Sequence, residues 1–366
     1  MLIGGSMENK INFTVGPVQM DDETRKIGMN QIPYFRTSEF SNLMLENENL
    51  IKKFAIAPEN SRAVFMTGSG TASMEATVLN CLTKDDKVLV VNGGSFGKRF
   101  VELLKLYEIP HVEIKMNTGE QLTSKILEDY NNKDFTSFMI NIHETSTGVR
   151  YDLDLIGNFC KKNNLLLIVD SISSFLADEI DMTKNKIDVL IIGSQKALAC
   201  PPGISIIVLS ESAINRIYKN DAKCYYLNLK SALENQKRGQ TPFTPAVGIL
   251  IQINNRLKLI DKNGGVKKEI EKTKHLAEYF RSKINNLPFK MVTDFPSNAV
   301  TSLYSLNNRA NEIFLTLKDN YNIWVCPNGG ELKDKIFRVG HIGHLTEKDY
   351  DELINALEDM NKKGLL

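Results

Sequence analysis

The sequence predicts an α/β protein in which a mainly parallel seven-stranded sheet, covered by helices on both faces, is followed by a smaller C-terminal α+β domain. Seven short apolar runs alternate with helix-length segments as far as residue 209, and the pattern changes after about residue 250. The chain has 366 residues, of which 42% are hydrophobic. It is therefore long enough for one large domain and a smaller one.

The seven runs are rich in β-branched and other apolar residues, as expected of buried strands. They cover residues 63–67, 87–91, 111–115, 137–142, 165–170, 188–192 and 204–209. Alternation of strands with helices implies parallel neighbours and a sheet with both faces covered. The last two runs, however, are separated by too few residues for a crossover helix, so we expect that pair to be antiparallel.

The C-terminal third of the chain has a different organisation. A helical segment from about residue 249 to 286, interrupted near "KNGG", leads to four further strands and a closing helix. The strands are expected at 289–293, 299–306, 323–327 and 335–341, and the helix at 347–363. We therefore expect an N-terminal arm at 7–20, a large domain at 21–250 and a small domain at 251–366. Residues 1–6 are interpreted as an addition before the natural start at Met7.

Composition and charge favour small-molecule partners. The formal net charge is +1 and the charges form no long run of one sign, which argues against a nucleic-acid or anionic-membrane surface. No apolar segment reaches the roughly 20 residues needed to span a bilayer, and the N-terminus lacks the pattern of a signal peptide, so we expect a cytoplasmic protein. The five cysteines are irregularly spaced and the histidines are few, so we predict reduced thiols and no bound metal.

Three loops at the carboxyl edge of the predicted sheet, where ligands bind in such sheets, carry candidate ligand contacts. In "GSGTASMEA", Ser69, Gly70 and Thr71 open a helix whose free N–H groups suit an anion such as a phosphate. The alternative is a glycine-rich turn with Thr71 as the helix N-cap. In "NGGSFGKR", Phe96 could stack on a flat ligand or simply pack. The loop "HETSTG" offers three hydroxyls to a ligand or to a turn.

The next two loops supply an acid and an amine. Asp170 ends the most apolar strand, where an ionised carboxylate needs a positive partner or several donors. Lys196 lies between two buried strands, where a lysine either reaches the surface or is kept for chemistry. Together, the acid, the amine, the phosphate-type loop and the aromatic ring fit pyridoxal 5′-phosphate (PLP). Lys196 would bind its aldehyde, and Asp170 would keep its pyridine nitrogen protonated.

These motifs resemble the class V aminotransferases of fold type I, specifically the branch of the alanine–glyoxylate, serine–pyruvate and 2-aminoethylphosphonate–pyruvate transaminases. The resemblance covers nearly the whole chain. It rests on "FTVGPVQM", "YFRTSEF", "GSGTASMEA", "GGSFGKR", "HETSTGVR", "VDSISSF", "GSQKALACPPG", "QTPFTPAVG" and "FRVGHIG", in this order. It implies the PLP-dependent transferase fold type I and PLP as the cofactor.

The resemblance also implies the roles of individual residues. Lys196 corresponds to the lysine that binds PLP, and Asp170 to the partner of the pyridine nitrogen. Phe96 corresponds to the ring that stacks on the cofactor, although many relatives have tryptophan there, and Thr145 to a contact with the cofactor ring. The implied phosphate ligands are Ser69, Gly70, Thr71 and Gln195.

Members of this family share their active sites between two subunits, so the resemblance implies a homodimer. Thr241 and Thr244, in "QTPFTPAVG", would reach the phosphate of the neighbour's cofactor, although many relatives have tyrosine at the position of Thr241. Arg338 falls where the family binds the substrate carboxylate, which a guanidinium fork suits. Arg36, in "YFRTSEF", is expected to be a structural or substrate-proximal charge.

We therefore expect an aminotransferase that moves an amino group from a small amine or amino acid to a keto acid by a ping-pong mechanism. The C-terminal segment favours the 2-aminoethylphosphonate–pyruvate type. "YFRTSEF" is shared with the alanine–glyoxylate and serine–glyoxylate branches, which stay an alternative. A cysteine desulfurase or another lyase on the same fold is a further alternative, with Cys326 as the candidate sulfur acceptor. A non-catalytic binding protein is disfavoured, because Lys196, Asp170 and the phosphate loop are all retained.

Overall fold

The computed structural model describes residues 10–366, and the expectations about residues 1–9 lie outside this range. The strands are β1 (Ile11–Asn12), β2 (Arg62–Thr67), β3 (Val88–Asn92), β4 (His111–Lys115), β5 (Ser137–Asn141), β6 (His143–Glu144), β7 (Val149–Arg150), β8 (Leu166–Asp170), β9 (Val189–Gly193), β10 (Ile204–Leu209), β11 (Phe289–Met291), β12 (Val300–Ser305), β13 (Ile323–Trp324), β14 (Cys326–Pro327) and β15 (Ile336–Gly340). The α-helices are α1 (Asp22–Ile27), α2 (Ser38–Phe54), α3 (Gly70–Cys81), α4 (Ser95–Leu106), α5 (Ser124–Glu128), α6 (Leu153–Asn163), α7 (Glu211–Lys219), α8 (Leu229–Gln236), α9 (Val247–Lys262), α10 (Gly265–Lys283), α11 (Ala310–Asn320) and α12 (Glu347–Lys362).

The larger sheet has seven strands in the order β2-β10-β9-β8-β5-β3-β4. The pairs among β9, β8, β5, β3 and β4 are parallel. β10 is antiparallel to both β9 and β2. The seven predicted strands and the antiparallel last pair are therefore confirmed. β10, the last strand of this sheet along the chain, lies between β9 and β2, the first strand. This position of β10 was not predicted.

Apolar side chains point to both faces of this sheet, which explains why its strands are continuous apolar runs. On one face, Phe65 and Leu89 belong to a core with α2, α6 and α9. On the other face, Val64 and Val90 belong to a core with α3, α4, α7 and α8. The predicted α/β architecture, with helices on both faces, is therefore confirmed.

The smaller sheet is antiparallel, with the order β11-β12-β15-β14. Its core includes Phe337 of β15, Phe280 of α10 and Leu353 of α12. Phe13, in the N-terminal arm, is buried in the same core, and β1 of the arm pairs with β13. The arm therefore packs with the small sheet.

The helical segment predicted at 249–286 forms two helices, α9 and α10, and the break between them at residues 263–264 lies within "KNGG", as expected. In α9, Leu257 and Ile260 pack against the larger sheet. In α10, Leu276 and Phe280 pack in the core of the smaller sheet. A domain boundary at residue 250 stays a prediction.

Within residues 10–366, none of the helices is long and apolar enough to cross a membrane. The same range holds no group of three or more His, Cys, Asp or Glu side chains arranged to bind a metal ion. All five cysteines are free. A cytoplasmic location stays a prediction.

Candidate active site

Lys196 lies in the turn between β9 and β10, just beyond the carboxyl end of β9. Its side chain is 9% exposed, and Nζ donates a hydrogen bond to the carbonyl oxygen of Val15 in the N-terminal arm (2.6 Å). Burial lowers the pKa of Lys196 to about 8, because a buried ammonium loses its hydration. The amine is therefore not a surface group, and more of it is neutral near pH 7 than in an exposed lysine.

Asp170 is the last residue of β8 and is 1% exposed. Its Oδ2 accepts a hydrogen bond from Asn141 Nδ2 (2.8 Å), and its Oδ1 accepts one from the backbone N–H of Ile172 (2.9 Å). Burial raises the pKa of Asp170 to about 6, although both donors and the charge of Lys196 oppose the rise. The structure thus brings the predicted acid and amine to one edge of the sheet, where their charges act on each other.

The predicted phosphate loop opens α3, and β2 delivers it to the same edge as β9. Ser69 is the N-cap of α3 and makes no side-chain capping hydrogen bond, so the alternative in which Thr71 is the N-cap is wrong. A Cβ at Gly70 would lie 2.1 Å from Ile172 Cδ1, so a larger residue there would require the Ile172 side chain beside Asp170 to move. The first N–H groups of the helix have no intrahelical partner and can bind an anion.

Phe96 lies in the first turn of α4, which the buried acid Glu144 holds in place. The carboxylate of Glu144 accepts hydrogen bonds from the backbone N–H groups of Phe96 (3.2 Å) and Gly97 (2.9 Å). A negative charge at a helix N-terminus is favourable. Glu144 belongs to "HETSTG", so this contact joins two of the predicted loops. Arg99 lies over the half-buried Phe96 ring, 5.0 Å from its centroid, and donates to Thr71 Oγ1 (3.0 Å).

Thr145 is buried and belongs to a chain of hydrogen bonds. Its Oγ1 lies 2.9 Å from Ser173 Oγ, which lies 2.9 Å from His143 Nδ1. Burial lowers the pKa of His143 to about 3, so this imidazole is neutral. His341 contacts Thr301 and a tyrosine hydroxyl. Both histidines therefore make hydrogen bonds within the protein.

Arg338, on β15 of the smaller sheet, reaches the "HETSTG" loop. It is 8% exposed, its Nη1 donates to the carbonyl oxygen of Thr145 (3.1 Å), and its Nη2 donates to that of Pro327 (2.5 Å). Nε is buried and has no hydrogen-bond partner among the residues described. Because a guanidinium has five N–H donors in a fixed fork, donors remain for an acidic group.

The hydrogen bonds of Arg36 and Thr241 do not involve these groups, although Thr241 and Thr244 line a small pocket with Thr67, which precedes the phosphate loop. Arg36 is exposed, and its Nη1 donates to the carbonyl oxygen of Thr241 (2.9 Å) and to Gln240 Oε1 (3.1 Å). These contacts fit the structural alternative for Arg36. Thr241 Oγ1 donates to the carbonyl oxygen of Phe243 (2.7 Å), whereas Thr244 is exposed. Contacts of Thr241 and Thr244 with a neighbouring subunit stay predictions.

Several residues that hydrogen-bond to the predicted site residues were not predicted from the sequence. Asn141 could have been found, because it ends a strand next to β8 and pairs directly with Asp170. Glu144 lies in "HETSTGVR" and Ser173 in "VDSISSF", but the residues with which they form hydrogen bonds are distant in the sequence. Val15 gave no local signal, because its contact is made by a backbone oxygen across 181 residues.

The residues at this sheet edge fit PLP. A buried amine suits the aldehyde, and a buried carboxyl that is short of positive charge suits a protonated pyridine nitrogen. The uncapped N-terminus of α3 suits the phosphate. The fold and the site therefore define a PLP-dependent enzyme.

Comparison with known proteins identifies the family. Residues 32–329 match the profile of Aminotransferase class-V. An uncharacterized aminotransferase of Methanocaldococcus jannaschii is 31% identical over 351 residues, which are 93% of this chain and 89% of that protein. The bifunctional phosphonoacetaldehyde hydrolase/aminoethylphosphonate transaminase of Clostridioides difficile is 28% identical over 331 residues, 87% of this chain and 51% of that one. The crystal structure of the alanine–glyoxylate aminotransferase from Nostoc sp. has a TM-score of 0.92 and 23% identity, and the alignment covers 99% of this chain and 97% of that one.

The chain therefore belongs to the aminotransferase class-V family. It is an aminotransferase of fold type I, and its cofactor is PLP. The resemblance in the sequence predicts this family, fold and cofactor, and all three are confirmed.

Proposed function

We propose that this aminotransferase moves an amino group from 2-aminoethylphosphonate to pyruvate. Arg338 carries the proposal: it lies beside Thr145, and its buried Nε has no partner among the described residues. Because Nη1 and Nη2 each donate one hydrogen bond within the protein, Nε and the second N–H group of each terminal nitrogen are left for one acidic group. Each of the two substrates has one such group, a phosphonate or a carboxylate. The similarity to a protein named as an aminoethylphosphonate transaminase supports this donor.

Lys196 and Asp170 perform the central roles in this proposal. Lys196 would hold the aldehyde carbon of PLP, and its amine would move the proton on the donor's carbon. Its lowered pKa of about 8 favours this role, because only a neutral amine accepts a proton. Asp170 pairs with the pyridine nitrogen. When bound, PLP supplies an aldehyde for the amino group and a ring that withdraws electrons from the donor's carbon.

The remaining contacts with PLP are proposed from their placement around these two residues. Phe96, at the start of α4, would stack on the ring, and Thr145 would contact it. The phosphate ligands are Ser69, Gly70 and Thr71 at the N-terminus of α3, together with Gln195. The helix N-terminus contributes because its dipole and free N–H groups favour an anion.

We also propose a homodimer in which Thr241 and Thr244 reach the neighbour's phosphate. Thr244 is exposed in an apolar surface: Tyr225 and Tyr226 are 85% and 48% exposed, and Tyr226 stacks on Phe243 at 5.3 Å. Clustered exposed aromatic residues are typical of a protein interface. Thr244 is the stronger candidate of the two threonines, because the hydroxyl of Thr241 already donates within its own subunit.

A donor panel tests the proposed function. The purified enzyme with bound PLP is mixed with 2-aminoethylphosphonate, alanine, serine or aspartate, and its visible absorbance is followed without a keto acid. We expect 2-aminoethylphosphonate to bleach the absorbance fastest and pyruvate to restore it. Bleaching by alanine or serine, reversed by glyoxylate, would instead support the alternative that "YFRTSEF" favours. Release of sulfide from cysteine would indicate a desulfurase.

A further inference from the structure

One face of the smaller sheet meets the "HETSTG" loop and carries Ser302, Arg338 and Cys326. Ser302 on β12 and Cys326 on β14 are each directly opposite Arg338 on β15, so the three side chains lie on one face. Leu303 and Phe337, the adjacent residues, point to the other face and join the apolar core. Directly opposed residues have Cβ atoms about 4.5–5.5 Å apart.

Two polar atoms on this face are buried without a partner. Neither Ser302 Oγ nor Arg338 Nε has a hydrogen-bond partner within residues 10–366. Ser302 is 2% exposed and Arg338 is 8% exposed. Buried polar groups are nearly always hydrogen-bonded, because leaving one unpaired costs free energy. Two unpaired donors on opposed residues therefore indicate a common partner that completes the site.

Both side chains also contact the same loop. Arg338 donates to the carbonyl oxygen of Thr145, and a Cβ at Gly148 would lie only 2.8 Å from Ser302 Oγ. The pair therefore lies on the side of the small sheet that faces the proposed cofactor contacts. The pKa of Lys196, lowered first by burial, is lowered further by the charge of Arg338, so the guanidinium also acts on the amine.

We propose that Ser302 binds substrate: its hydroxyl donates a hydrogen bond to the acidic group that Arg338 holds. This inference rests on the proposed function, in which Arg338 anchors that group. A carboxylate has about four acceptor positions, so it can take two donors from Arg338 and a third from Ser302. A phosphonate has one oxygen more and gains more from the additional donor. Ser302 thereby favours a phosphonate donor over an amino acid.

The Ser302→Ala variant tests this role. We expect the KM for pyruvate to rise about tenfold, the effect of losing one hydrogen bond to a charged group, and the KM for 2-aminoethylphosphonate to rise further. We expect kcat and the absorbance of bound PLP to stay unchanged. The melting temperature without substrate should not fall, because the lost hydroxyl has no partner in the protein. A lower melting temperature with parallel losses in kcat and PLP binding would show a structural role and overturn the inference.

Ser137→Ala is a matched control. Ser137 is 0% exposed, and its Oγ also has no partner within the described chain, but it lies at the amino end of β5, opposite the edge that carries Lys196. Ser137→Ala should leave both KM values unchanged. A tenfold rise in this variant would mean that any buried hydroxyl has this effect, and would overturn the role of Ser302.

Arg338→Met separates this inference from the proposed function. Pyruvate is added to the PLP form, which has no amino group to transfer, and the rise in melting temperature reports binding. We expect this rise to be lost in Arg338→Met and reduced in Ser302→Ala. Loss in Arg338→Met with a full rise in Ser302→Ala overturns only the role of Ser302. A full rise in Arg338→Met overturns the anchor itself, and the proposed function with it.

Discussion

At the scale of single residues, burial moves both central groups toward their neutral forms. The pKa of Lys196 is lowered to about 8 and that of Asp170 is raised to about 6. Each group is therefore unfavourable as an isolated buried ion. In the proposed site, bound PLP would remove both penalties, because the amine would be held in a covalent bond and the carboxylate would have a positive partner. The cost of burying the charged forms of Lys196 and Asp170 is therefore consistent with a site that binds PLP.

Asp170 also makes the stability of the PLP-free protein depend on pH. Its pKa is higher in the folded protein (about 6) than its usual value of 3.8, so the folded state holds the proton more tightly. The stabilising contribution is present below pH 3.8 and is lost as the pH rises through 6. Between these values, we expect the free energy of unfolding of the wild type to fall by about 3 kcal/mol relative to Asp170→Asn. Urea unfolding at several pH values measures it.

Asp134→Asn serves as the control for that experiment. Asp134 is exposed, and its hydrogen bond with Lys87 lowers its pKa. Its contribution to the free energy of unfolding therefore increases as the pH rises, whereas that of Asp170 decreases. Parallel pH curves for the wild type and Asp170→Asn would contradict the burial of an ionisable carboxyl at this position.

At the scale of elements, the N-terminal arm connects the smaller sheet to Lys196. The backbone N–H of Gly340 on β15 donates to the carbonyl oxygen of Phe13 (2.7 Å), and Phe13 is buried in the core of that sheet. Two residues later, the carbonyl oxygen of Val15 accepts the hydrogen bond from Lys196. The arm therefore fixes the amine from the side of Arg338, the proposed substrate anchor, which lies on the same strand as Gly340.

Gly16→Ala tests this connection. The new Cβ would lie 2.8 Å from Cδ and 3.0 Å from Nζ of Lys196, and Gly16 has a φ of +134°, which alanine rarely adopts. We expect Lys196 to be displaced, with weaker PLP binding and a loss of stability of about 1–3 kcal/mol. Titration with PLP, followed by visible absorbance, measures the first effect. Gly329→Ala is the control, because a Cβ there meets no atom within 4 Å. Equal PLP affinity in both variants would refute the connection.

Local patterns predicted elements well and contacts between distant elements poorly. The strands of the larger sheet were predictable because both of their faces are buried, which leaves continuous apolar runs. The residues after them, such as Asp170 and Lys196, followed from the rule that parallel strands gather their carboxyl ends. The packing of α9 on the larger sheet and the contact of Val15 with Lys196 depend on tertiary placement, which leaves no periodic signal.

At the scale of the whole molecule, the proposed active site takes residues from two subunits. Lys196 is buried within its own subunit, whereas Thr244 is exposed beside the aromatic cluster of Tyr225, Tyr226 and Phe243. A symmetric dimer that buries this cluster contains two equivalent sites, each with Lys196 from one subunit and Thr244 from the other. A subunit with a substituted Lys196 and a subunit with a substituted Thr244 should then restore activity when they form a mixed dimer.

Mixing two inactive variants tests this sharing directly. Lys196→Ala lacks the amine, and Thr244→Asp places a carboxylate against the phosphate of the neighbour's PLP, where two negative charges repel. Each homodimer should be inactive. In the mixed dimer, one site combines the intact Lys196 and Thr244, so equal amounts mixed at random should recover about a quarter of the wild-type activity. The double variant, Lys196→Ala with Thr244→Asp, should instead inactivate a wild-type subunit with which it pairs. If each subunit carried a complete site instead, the mixture of the two single variants would stay inactive, because no subunit would have both residues intact. The wild-type subunit paired with the double variant would then stay active.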